Sequence, residues 1–211
     1  MRINKILDSR TIRFVRLTQE WGKTLFGKGL TNALENRYGF FEGPKMVKDF
    51  DIDNGITFLH GFFEEGVIID RLQIYSNGVL AESKNGTDIC ENFIEDVVNW
   101  LGEEAKLNLE PLPLPPLYSS TLEVEITSKF GAAFFQFEKV SALLDSFFEG
   151  ENRKFQVSGI QFQNAQDGSD RPFRLERRAD QPFDSNLYFS NAPLATEKHA
   201  RVLETIEQAV L

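Results

Sequence analysis

Close to the midpoint of this 211-residue chain, four of six consecutive residues are proline: Pro111, Pro113, Pro115 and Pro116. Proline has no backbone donor and favours extended polyproline geometry, so residues 107–117 form a spacer or an edge segment. The chain therefore reads as two halves of similar length.

The second half has the plainer pattern. Leu122, Val124 and Ile126 alternate with Thr121, Glu123 and Glu125, the two-residue period of a half-buried strand. After the N-cap pair Thr127-Ser128, Phe130, Phe134, Phe137, Val140, Leu144 and Phe147 recur at steps of three and four. That spacing predicts an amphipathic helix burying this stripe and stopped by Gly150. Residues 155–162 read as a strand, residues 164–170 as a polar turn, and residues 172–178 as a strand opening on Pro172. In that strand Phe173 and Leu175 face the helices, while Arg174, Glu176 and Arg178 face out. Residues 186–190 give a short third strand. Pro193 opens a last helix with the apolar face Leu194, Val202, Leu203, Ile206 and Val210.

The first half repeats this order. Residues 11–17 read as a strand, and Thr18 begins a helical stretch carrying Trp21, Leu25, Leu30 and Leu34. Strands follow at residues 56–63 and 67–75, on either side of a Glu64-Glu65-Gly66 turn. Asn77-Gly78 is a strong hairpin signal, because a type I′ turn needs two residues that tolerate positive φ. It predicts Tyr75 opposite Leu80 and Ile74 opposite Ala81. Asp88 and Glu91 form a capping-box-like pair at the head of a helix whose buried stripe is Ile89, Phe93, Ile94, Val97, Val98 and Leu101.

The expected fold is α+β. It consists of two tandem β-α-β-β-β-α repeats, residues 1–105 and 118–211, joined by the Pro-rich linker 106–117. The sheet is mostly antiparallel, with helices packed on one face, and the other face must be covered or be polar enough to meet water. The order of elements resembles, at the level of topology, the duplicated saddle of TATA-binding-type proteins and the repeats of sliding clamps; shared topology implies no shared function.

Twenty phenylalanines and an apolar fraction of 41% exclude intrinsic disorder and allow a sizeable core. The one cysteine, Cys90, excludes a disulfide framework and a Cys-rich zinc site, and its place on an apolar stripe points to inert burial. With no long apolar run and an acid, Asp8, where a signal core would lie, the expectation is a soluble cytoplasmic protein with no membrane partner. The net charge of −9 disfavours nucleic acid as a partner, yet it is uneven. Residues 1–38 carry eight basic and three acidic groups, and residues 171–178 hold Arg171, Arg174, Arg177 and Arg178 against Glu176.

Chemistry-bearing residues are sparse. Gly22-Lys23-Thr24 follows a strand as the end of a P-loop does, but Leu17 stands where the first glycine is required, so no nucleotide site is expected. Two histidines, His60 and His199, read as core or rim residues, and neither has a second ligand at metal spacing. No metal and no cofactor are expected. Asp70 falls on the face of Leu72 and Ile74, where a carboxylate needs a partner, so an ion pair is expected there. The leading expectation is a non-catalytic protein-binding or assembly protein, adaptor- or inhibitor-like, that uses a sheet face or edge to hold another protein or a copy of itself. Phenylalanines left outside the core, at Phe40-Phe41, Phe62-Phe63 and Phe147-Phe148, would form its interface. The alternative is an enzyme acting on a polar anionic substrate with Asp70, Arg71 and Glu176 as catalytic candidates. Nucleic-acid binding through Arg174, Arg177, Arg178 and Tyr188 comes third.

Overall fold

The computed structural model describes residues 1–18, 27–64, 66–103, 106–126, 130, 134–151, 153–166, 171–182 and 185–209. Ten strands and four helices lie in these residues. In chain order they are β1 (Arg2–Arg13), β2 (Val15–Thr18), α1 (Lys28–Tyr38), β3 (Ile56–Phe63), β4 (Val67–Tyr75), β5 (Gly78–Ser83) and α2 (Thr87–Glu103). There follow β6 (Asn108–Pro111), β7 (Leu117–Glu125), α3 (Glu138–Ser146), β8 (Gly159–Phe162), β9 (Phe173–Arg177), β10 (Leu187–Ala192) and α4 (Thr196–Ala209). The fold is α+β. Eight strands join in a large antiparallel sheet in the order β3-β4-β5-β1-β7-β10-β9-β8, and β2 pairs with β6 in a small second sheet. No helix among the described residues is long and apolar enough to cross a membrane.

The chain packs as two compact units: Ile6–Ser120 with Leu194–Thr196, and Met1–Lys5 with Thr121–Pro193 and Glu197–Leu211. In the first, Phe93, Ile94, Val97 and Leu101 of α2 pack with Ile56, Phe58, Ile69, Leu72, Ile74, Val79 and Ala81 from the strands. α1 adds Leu34 and Tyr38, and the Tyr38 hydroxyl donates to Asp96 Oδ2 at 2.7 Å. Burial, then this hydrogen bond, hold the Tyr38 phenol above its ordinary range. Strands β3 and β4 have the bounds that the periodicity predicts.

Three expectations in this unit need correction. The hairpin turns one residue earlier, with Tyr75 opposite Gly78 and Ile74 opposite Val79. This register sets Arg71 opposite Glu82 instead of Lys84, and cross-strand opposite charges outweigh the local Asn-Gly preference. The first strand begins at Arg2, nine residues before the expected start, because its helix-facing positions Ser9 and Thr11 are small and polar and leave no apolar alternation to read. The spacer needs no such correction: residues 108–111 are β6, paired with β2, the edge segment that was one of its two expected forms. Finally, α2 starts at Thr87, and among the described residues Asp88 makes no cap bond; Glu91 accepts from the Tyr118 hydroxyl at 3.0 Å. Trp21, Leu25 and Gly22-Lys23-Thr24 lie outside the described residues.

In the second unit, β9 alternates as expected, with Phe173 and Leu175 buried and Arg174 and Glu176 exposed. The expected strand at 155–162 is confined to Gly159–Phe162, and α4 starts at Thr196, three residues beyond Pro193. Phe130 is buried against Tyr188, their rings 5.2 Å apart and edge to face. The rest of the expected stripe is the largest correction, because α3 buries none of its residues. Thr127-Ser128 and residues 167–170 lie outside the described residues.

Candidate functional site

In the Ile6–Ser120 unit, alternation along β5 sends Val79 and Ala81 into the core and leaves Leu80 and Glu82 on the other face. Glu82 is almost fully buried there and lies between two guanidinium groups, Arg10 on β1 and Arg71 on β4, the latter 3.2 Å away. A polar ladder continues on β3 and β4: Gln73 donates to Thr57 Oγ1 at 2.9 Å, and the Tyr75 hydroxyl donates to Gln73 Oε1 at 3.1 Å. Arg71, a catalytic candidate from the sequence, is thus held in an ion pair with a carboxylate that the sequence reading missed. Asp70 is half-buried and makes no ion pair or hydrogen bond among the described residues, contrary to expectation. The β4 alternation breaks between Ile69 and Leu72, both buried, so Asp70 does not share the core position of Leu72 and Ile74.

His60, expected as a core or rim residue, lies outside the core. Its φ of 55° is left-handed, the side chain is exposed, and Phe62 beyond it turns outward as well. Gly61 then sits under the Phe40 ring, where a Cβ would come within 2.5 Å of a ring atom. Cys90 is buried as expected. Burial, followed by the nearby carboxylates Asp8 and Asp88, pushes its thiol up to about 12, so no reactive thiolate exists near neutral pH.

The Arg174 candidates belong to the second unit. An open cleft of about 320 Å³ is lined by Thr121, Arg171, Arg174, Glu176, Phe189 and Asn191. The structure thereby brings together Arg174 and Glu176, and adds Arg171, Thr121 and Asn191, whose amide donates to Thr121 Oγ1 at 2.8 Å. Arg177 and Tyr188 are elsewhere: Tyr188 is buried, and Arg177 donates to its hydroxyl at 2.9 Å while stacking on its ring. Arg178 is ion-paired with Glu123 and Asp180 and lies over the Phe189 ring.

Ser190 and His199 form a pair that no spacing signal announced, with Ser190 Oγ 2.7 Å from His199 Nε2. The serine donates its one proton to the Arg174 carbonyl at 2.9 Å, so Nε2–H is the donor to Oγ. A nucleophile and base need the reverse arrangement, and both residues are fully buried. Burial alone lowers the imidazole to about 4, so it is neutral at neutral pH. Among the described residues no cluster of three or more His, Cys, Asp or Glu could hold a metal ion.

The remaining feature is apolar. α3 and the turn leading into it expose Phe135, Phe137, Val140, Leu143, Leu144 and Phe147, and the edge strand β8 exposes Phe162. The three-and-four spacing that predicted the helix was visible in the sequence; its lack of cover was not. No known protein family matches this sequence, and a search among curated proteins finds none similar to it.

Proposed function

We propose that this chain is a non-catalytic protein-binding or assembly protein built from two tandem β-α-β-β-β-α modules. The observation that carries the reading is α3, an amphipathic helix with no buried residue and an apolar stripe open to water. Monomeric proteins seldom leave such a stripe contiguous and uncovered unless something docks on it. The pairs Phe40-Phe41, Phe62-Phe63 and Phe147-Phe148 fit the same reading, since Phe41, Phe62 and Phe147 are the exposed member of each. The duplication is supported by the strand order, which places β4-β5-β1 and β9-β10-β7 in mirrored positions, and by Thr87 and Thr196, the first residues of α2 and α4. Arg71–Glu82 in the first unit and Arg178–Glu123 in the second are ion pairs within the chain, which supports apolar surfaces, α3 foremost, over polar ones for docking.

The test compares the full chain with Val140→Asp in sedimentation velocity, alone and mixed with extract of its native host. An assembly heavier than one chain, formed by the parent and lost in Val140→Asp, is expected. No assembly of any kind that depends on Val140 would overturn the reading.

A second reading, a small polar anion bound with arginine and carboxylate help, is favoured by the 320 Å³ cleft, where Arg171 and Arg174 make no ion pair among the described residues. Inorganic phosphate should then raise the melting temperature of the parent chain and not that of Arg174→Ala.

A further inference from the structure

We infer that the apolar face of α3 closes on the same face of a second copy of this chain, with the two helices antiparallel about a two-fold axis. This rests on the protein-binding reading and names its partner.

The exposed area suits a weak dimer. On this face Phe147 is 70% exposed, Leu143 56%, Val140 54%, Phe137 43% and Leu144 39%. Together these side chains offer on the order of 450 Å² per copy, against about 800 Å² per partner in a standard specific interface. With the surrounding rim, one α3 face against another reaches the size that a reversible dimer needs. The comparison with α1 shows that this exposure is not how the fold treats every helix, since α1 buries Thr31, Leu34 and Tyr38.

The stripe is also self-complementary. Phe137, Val140, Leu144 and Phe147 are separated by three, four and three residues, a spacing that reads the same from either end. An antiparallel second copy therefore meets it in register, Phe137 against the partner's Phe147 and Val140 against the partner's Leu144. An isologous contact needs this property: the same patch on both copies, each position meeting its symmetry mate. The three-four spacing is also the seam spacing of paired helices.

Charge favours the same face. The chain carries −9 overall, yet residues 134–155 hold three basic groups, Lys139, Arg153 and Lys154, against four acidic ones, Glu138, Asp145, Glu149 and Glu151. Copies that approach through this segment meet close to neutral, whereas most other surfaces would bring like charges together.

Sedimentation velocity of the full chain over about 1–200 µM reads the dimer by mass action. The expected result is a reversible monomer–dimer equilibrium whose dissociation constant rises at least tenfold in Leu144→Glu. Because Leu144 is not in the core, the variant should keep the parent circular dichroism spectrum, and its melting temperature should equal that of the parent at dilutions where both are monomeric. Orientation is read by oxidative cross-linking, with Cys90 buried and silent. A mixture of Phe137→Cys and Phe147→Cys chains should cross-link, and Phe137→Cys alone should not. A chain that stays monomeric throughout, or a dimer indifferent to Leu144→Glu, overturns the inference, and cross-linking of Phe137→Cys alone overturns the antiparallel arrangement. If the chain is monomeric but forms a Val140-dependent complex with a different protein, this inference falls and the protein-binding reading stands; if no Val140-dependent complex forms, both fall.

Discussion

His199 and Glu82 are buried polar side chains in different units, and each makes a measurable demand on its surroundings. His199 is neutral in the fold because burial lowers it to about 4 from an ordinary value of 6.5. Between these values the unfolded chain takes up a proton that the folded chain refuses. The stability contributed by the neutral imidazole is therefore complete above pH 6.5 and is lost as the pH falls towards about 4. The loss should be of the order of 3 kcal/mol, read as a falling melting temperature. His199→Gln, which cannot titrate, should flatten the profile in that window. Glu82 is the charged counterpart. Replacing it with Gln leaves Arg10 and Arg71 facing each other without a carboxylate, and urea unfolding should show a cost of about 1–3 kcal/mol. His199 was legible as a core or rim histidine, whereas Glu82 did not stand out in the sequence. Asp70 drew attention there because strict alternation put it inside; the break in β4 between Ile69 and Leu72 moved the structural burden to Glu82 on the next strand.

At the scale of elements, the starts of α2 and α4 are joined by an exchange of caps. The Thr87 N–H donates to Thr196 Oγ1 at 3.1 Å, and the Thr196 N–H donates to Thr87 Oγ1 at 2.8 Å. Each threonine thereby satisfies an amide of the other helix, where a local cap would serve its own. Thr87→Val removes only the acceptor of the Thr196 N–H and Thr196→Val only the acceptor of the Thr87 N–H, so each should cost about 1 kcal/mol in urea unfolding. Sequence reading placed these helices from their stripes, and Phe93, Ile94, Val97 and Leu101 were legible for that reason. The caps were not, because a local motif search looks three residues along the chain and this partner is 109 residues away. β1 was half legible: its later residues carry Ile12 and Val15 nearby, but the stretch from Arg2 packs through Ser9 and Thr11, which look like loop residues in a sequence.

For the whole molecule, the balance between apolar face and net charge makes a prediction of its own. A dimer closed by α3 is apolar at its centre while each copy carries −9, so screening should favour it. Raising sodium chloride from about 0.05 M to about 0.5 M should tighten self-association severalfold, the opposite of the salt response of a nucleic-acid complex. The sequence by itself determined the α+β class, β3, β4, β9 and the α2 stripe, because alternation and helical spacing are local consequences of what each side chain must bury. It also determined that α3 would be amphipathic. Tertiary structure decided what each apolar or charged face meets: the hairpin register that joins Arg71 to Glu82, the outward turn at His60, and the exposure of Val140 and Leu144. Periodicity records that a face is apolar, whereas burial depends on which distant residues arrive to cover it.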